Sequence, residues 1–214
     1  MKKIFLVVFV SAIISCGHHD KKTTDPAPSP DSPPIKNDTL HKMEAHLDSN
    51  LLFSTSTAIL TAIKAKDHKA LAGFIHPEQG LLFSPFKYID SSCLVIKANE
   101  FESLANSNKK LNWHSSWMEE DADSLLTVKD YFKRFVYDVD FIKAPERTFN
   151  ESHNAGTEIN NTFEIFKGSD FVEFFFPGFE KKYDGLDFRG LQLVFKAYNG
   201  KPYLVGIVHD EWTP

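Results

Sequence analysis

The stretch LQLVFKAYNGKPYLVGIVH, residues 191–209, reads as a β-hairpin, and the rest of the fold is argued outward from it. Asn199-Gly200 at its centre is the strongest two-residue turn signal in the chain. The tight turn that matches strand twist needs a positive φ at both central positions, and these residue types tolerate it. With Tyr198 paired to Lys201, side chains should alternate outward from the turn. That places Leu191, Leu193, Phe195, Leu204, Gly206 and Val208 on one face, and Gln192, Val194, Lys196, Tyr203, Val205, Ile207 and His209 on the other. Both sets are partly apolar, so the middle of the hairpin should be covered on each side. Upstream, Val172-Glu173-Phe174-Phe175-Phe176 reads as a further strand, ended by Pro177-Gly178.

The earlier part of the chain carries helical spacing instead. Met43, Leu47, Leu51, Ile59 and Ile63 recur on one helical face together with Ala58 and Ala62, which predicts a long amphipathic helix over 43–66. Asp67 is an N-cap candidate for a short second helix with Leu71, Phe74 and Ile75, stopping at His76-Pro77. Strand-like runs follow at 81–89 and 93–98. Residues 106–126 are polar and irregular apart from Trp113 and Trp117, and Thr127 caps a helix running through Tyr137. Helices first and strands afterwards predict an α+β domain, with N-terminal helices packed on a curved antiparallel sheet. The order of two helices, two strands, a helix and a closing sheet is similar to the cone-shaped folds of the nuclear-transport-factor-2-like group.

The N-terminus carries an address. Lys2 and Lys3 precede an apolar run from Ile4 to Val10, which is the plan of a secretory signal. Even extended through Ile14 it falls short of the roughly 20 residues of a spanning helix. Its end, Ile13-Ile14-Ser15-Cys16, resembles a bacterial lipobox, so residues 1–15 are expected to be cleaved and Cys16 to carry lipid. Two or more acyl chains are what stable anchoring requires. From 16 to 42 the composition turns to Pro26, Pro28, Pro30, Pro33 and Pro34 among polar residues, a semi-stiff disordered spacer that also contains His18-His19-Asp20. The remaining stretch, 43–214, is the size of one domain. Loss of Lys2 and Lys3 moves the net charge from −5 to −7, and no basic stripe for nucleic acid is visible. With Cys16 lipidated, Cys93 has no partner for an intrachain disulfide, and it begins an apolar run that reads as a buried strand.

Several segments resemble an uncharacterised family of bacterial exported proteins and lipoproteins. They are His76-Pro77-Glu78-Gln79-Gly80 with Phe83-Ser84-Pro85-Phe86, the stretches Tyr131 to Phe141 and Phe171 to Gly178, and the C-terminal run from Leu204 to Thr213. Met118-Glu119-Glu120-Asp121-Ala122-Asp123 lacks the glycines that the family shows in its acidic segment. The resemblance implies export and anchoring, and no activity.

The residues that could carry chemistry are His76, Glu78, Arg189, His209 and Glu211. His209 and Glu211, two apart on a strand, share a face, and with His76 and Glu78 they would supply imidazoles and carboxylates suited to a divalent metal. No His-Glu-x-x-His or paired-Cys motif accompanies them, and no cofactor is called for. Asp138 and Asp140 have the residue types of a glycosidase pair, and Arg189 beside Asp187 reads as an ion pair or an anion contact. Two function classes follow. One is a membrane-anchored domain that binds a small molecule, glycan or envelope protein. The other is a metal-assisted or acid/base hydrolase using His76, Glu78 and His209.

Overall fold

The computed structural model describes residues 46–113, 125–153 and 159–212. The chain divides between Lys42 and Met43, and all described residues belong to the second unit. The signal segment, Cys16, the spacer, Met43, Trp117, Met118–Asp123 and Thr213 lie outside the described residues.

The C-terminal hairpin consists of β7 (Arg189–Tyr198) and β8 (Lys201–Glu211), with Tyr198 opposite Lys201 and positive φ at both Asn199 and Gly200. Beyond Phe195 and Leu204 the register shifts, so that Val194 faces Gly206 and Val205 is the extra residue of a β-bulge. An inserted residue turns every later side chain to the opposite face. The grouping expected from simple alternation is therefore corrected. Ile207 and His209 join Leu191, Leu193, Phe195 and Leu204, while Gly206 and Val208 join Gln192 and Val194. Gly206 is tolerated at the bulge because the Phe166 ring packs on its backbone; a Cβ there would fall 2.5 Å from Phe166 Cζ.

On one side of the hairpin, β6 (Asp170–Phe176) pairs antiparallel with β7, and β5 (Glu146–Phe149) with β6. On the other side, β1 (Leu81–Ser84) lies parallel to β8, and β2 (Val95–Ile96) closes that edge antiparallel to β1. The sheet order is β2-β1-β8-β7-β6-β5, antiparallel except at β1 and β8. The expected strand over 81–89 stops at Ser84, since Pro85 cannot donate to a ladder. Two short strands, β3 (Leu111–Asn112) and β4 (Leu125–Leu126), pair with each other apart from this sheet.

Helix α1 covers Ser49–Ala65, later than the expected start, because the Asp48 side chain accepts the Leu51 N–H and caps it there. The preceding turn is held instead by Asp170, which accepts from the Leu47 N–H at 2.8 Å. Asp67 caps α2 (His68–Ala72), as its sequence position suggests. Helix α3 (Ala98–Asn106) is new, although Phe101 and Ala105, four apart and both buried, are the spacing that would have revealed it. Thr127 caps α4 (Val128–Tyr131), which widens into a π-helical turn at Phe132–Val136. Helix α5 (Thr162–Ile165) is a single turn.

One apolar layer fills the space between helices and sheet. Leu52, Ile59, Leu60 and Ile63 of α1 lie in it with Phe83, Val172, Phe174, Leu191, Leu193, Phe195, Leu204 and Ile207. A smaller cluster of Ile89, Phe171, Val194, Val205 and Val208 covers the opposite face. Both faces of the central strands are thus buried, which is why they read as nearly continuous apolar runs.

Candidate functional site

The bulge in β8 delivers His209 to the helical face, where the π-helical turn ends. Arg189 and Glu211 stand opposite each other as the first residue of β7 and the last of β8, and His209 stands opposite Leu191. Asp138 enters from the helical side just past Val136. Arg189 donates through Nε to Asp138 Oδ2 at 2.7 Å, and its Nη2 lies 3.3 Å from Glu211 Oε2. Arg134 donates to the other oxygen of Glu211 and stacks over the Phe135 ring, 4.5 Å from its centroid. The cluster runs from fully buried His209 to Arg134, whose side chain is 52% exposed, so it opens to solvent on the arginine side.

The imidazole is held at one nitrogen only. His209 Nδ1 lies 3.3 Å from the Pro85 carbonyl, which can only accept, so Nδ1 carries the proton. Nε2 stands 3.4 Å from Asp138 Oδ1, and neither atom has a hydrogen-bond partner. Burial by itself pushes the Asp138 carboxyl up, but a protonated His209 and Arg189 together outweigh it and hold the group below the usual carboxylate range. Asp138 is therefore an ionised anchor rather than a proton donor. One ligand atom each from Asp138, His209 and Glu211 lie within 4.8 Å of one another, a set able to hold a metal ion.

His76 and Glu78 are elsewhere. The His76 N–H donates to the Leu204 carbonyl, five residues before His209 on β8, which separates the two histidines by roughly 16 Å along the strand. His76 Nδ1 accepts the backbone N–H groups of Glu78 and Gln79 at 3.2 and 3.1 Å, and Glu78 accepts from the Tyr198 hydroxyl at 2.9 Å. The structure thus brings Arg189, His209 and Glu211 together and leaves His76 and Glu78 at the hairpin end. Burial, ahead of the charges around it, lowers the His76 pKa from its ordinary 6.5. The unfolded chain then takes up more protons than the folded one as pH falls below about 6.5, so the contribution of neutral His76 is complete above that value and is lost below it. The urea midpoint should fall more steeply between pH 7 and 5 in the wild type than in His76→Asn. Equal slopes would show that His76 is not held neutral.

The other readings separate as well. Asp140 pairs with Lys64 at 2.7 Å and accepts from the Tyr137 hydroxyl at 2.5 Å, with its carboxyl lowered to about 2 by these two partners. It does not share a site with Asp138. Asp187 accepts from the Glu180 N–H, so Arg189 finds its carboxylates in Asp138 and Glu211. Cys93 is half-buried, just before β2, and burial pushes its thiol up, which leaves it protonated. Trp113 is core, stacked on Tyr131 at 3.8 Å, whereas Trp212 is exposed.

A second polar group, unforeseen from sequence, lies on the opposite face of the sheet. Lys87 and Glu173 are almost completely buried, and the Lys87 ammonium lies 2.7 Å from Asp210 and 3.4 Å from Glu173 while also donating to the His153 carbonyl. Glu173 accepts from the His153 N–H, Ser152 and Gln192, and its Oε2 lies 2.6 Å from His153 Nδ1. The His153 ring stacks on Phe175 at 4.2 Å. One signal was available: Glu173 interrupts an otherwise apolar strand, and a charge in such a place needs partners.

No protein-family model, curated protein or solved structure matches this chain.

Proposed function

We propose that this chain is a lipoprotein, exported and tethered to a bacterial membrane through Cys16, whose α+β domain binds a ligand or envelope partner rather than turning over a substrate. The anchoring half rests on the basic start, the short apolar run and Ile13-Ile14-Ser15-Cys16. Among the described residues no helix is long and apolar enough to cross a membrane. The resemblance to exported proteins and lipoproteins agrees with this reading. The element order, α1 and α2, then β1 and β2, then the helix that Thr127 caps and the closing strands, with α3 and the β3–β4 pair inserted, supports the nuclear-transport-factor-2-like variant of the fold.

The observation that carries the binding half is the end of the sheet at Arg189 and Glu211. There a partly buried charged cluster adjoins exposed apolar side chains: Trp212 directly after β8, and Phe179, Tyr183 and Leu186 in the connection between β6 and β7. Apolar groups left in water around a few convergent polar ones are the composition of a ligand surface. The hydrolase reading draws no such support, because His76 and Glu78 are engaged in their own turn away from His209.

Cys16→Ser is expected to abolish incorporation of labelled fatty acid and move the protein wholly from the membrane to the soluble fraction. Unlabelled wild type with unchanged fractionation of the variant would defeat the anchoring reading.

A further inference from the structure

We infer that Asp138, His209 and Glu211 form a binding site for a divalent transition-metal ion, zinc being the best fit. This deepens the binding reading and rests on it: the ligand at the charged end of the sheet is a cation. His209 Nδ1 faces the Pro85 carbonyl, and its buried Nε2 stands 3.4 Å from Asp138 Oδ1, neither of these two atoms having a hydrogen-bond partner; with the imidazole neutral, both are electron-rich. Two electron-rich atoms do not stay so placed in a buried site unless something positive lies between them. That can be a proton, giving an imidazolium, or a metal.

The separation favours the metal. A charge-assisted N–H to carboxylate bond closes to about 2.7–2.9 Å. The 3.4 Å between Nε2 and Oδ1 is too long for that, and neither atom makes a hydrogen bond. Two donors at about 2.0–2.1 Å from one tetrahedral zinc stand about 3.3–3.4 Å apart. The observed gap is that edge. Glu211 supplies the third donor, within 4.8 Å of the other two.

The surroundings are those of an oriented metal centre. Ligating histidines ordinarily donate their second N–H to a backbone carbonyl, as His209 does to Pro85, and ligating carboxylates are themselves hydrogen-bonded, as Asp138 is by Arg189. Arg189 occupies Oδ2 and leaves Oδ1 free for the metal. The two guanidiniums oppose a cation, so they set an upper limit on affinity, and half-exposed Arg134 is the one able to swing into solvent.

The test uses full-length protein purified in detergent, stripped with a chelator and titrated with Zn²⁺ against a chromogenic competitor. One tight equivalent is expected in the wild type. It should weaken at least about 100-fold in His209→Ala and Asp138→Asn, since even residues that only orient ligands are worth 10–100-fold. Arg134→Ala should bind severalfold more tightly. Co²⁺ in place of Zn²⁺ should give visible absorption that both ligand variants lose. His18-His19-Asp20 is present in every variant and cannot account for the difference. Should His209→Ala fail to fold, the near-isosteric Asp138→Asn and the gain in Arg134→Ala carry the test. A wild type that takes up no equivalent, or undiminished uptake in Asp138→Asn, overturns the site. Lipid labelling is independent of either result, so loss of the metal site and loss of the anchoring reading are told apart.

Discussion

Lys87→Met is expected to destabilise the domain by about 3–5 kcal/mol, the usual cost of removing one member of a buried ion pair. Methionine matches the length of the lysine stem, so packing is nearly conserved and the loss is electrostatic. Glu173 and Asp210 would lose, in a dry interior, the ammonium that lies 3.4 and 2.7 Å from them. Guanidinium unfolding of wild type and variant measures the difference. A second substitution separates this cause from a packing defect. Adding Glu173→Gln to Lys87→Met removes one stranded charge and should restore part of the loss, since residues in one ion-pair network couple strongly. A double variant that is simply the sum of both losses would show that the pair does not interact.

Phe83→Ala is expected to cost about 3–5 kcal/mol, through lost burial and the cavity left behind. Phe83 is fully buried on β1 and holds three elements at once: its ring lies 5.4 Å from Trp113, 5.8 Å from Tyr131 and 5.8 Å from Phe132. It also sits on the strand that pairs parallel with β8 opposite Ile207, two residues before His209. Loss of Phe83 should therefore lower zinc uptake as well as the unfolding midpoint. A midpoint within about 1 kcal/mol of wild type would mean that the neighbouring rings collapse into the space.

Much of the framework was legible in the residues. Asn199-Gly200 specified its turn, Asp67 and Thr127 specified helix starts, and Pro177-Gly178 marked the end of β6, because caps and turns are local chemistry read within a few positions. The site was legible in part. His209 and Glu211 lie two apart on one strand, so their common face follows from alternation, and Arg189 joins them across the hairpin. Asp138 stood out only as a carboxylate partner for Asp140, and Arg134 not at all, since Asp138 meets Arg189 across 51 residues and Arg134 meets Glu211 across 77, separations at which no spacing rule operates. The Lys87 network was missed for the same reason, although Glu173 within an apolar strand was a visible sign of it.

By itself the sequence determined the α+β class, the hairpin and its turn, and the capped starts of two helices, because each depends on backbone preferences and apolar periodicity along a short window. Only the tertiary structure decided the parallel seating of β1 against β8, the bulge at Val205, and therefore the face on which His209 lies. A bulge is one residue of register, chosen by how the two apolar clusters and the Phe166 ring pack around Gly206, and no local pattern encodes that choice. That single residue of slip sets His209 beside Asp138 instead of on the opposite face of the sheet.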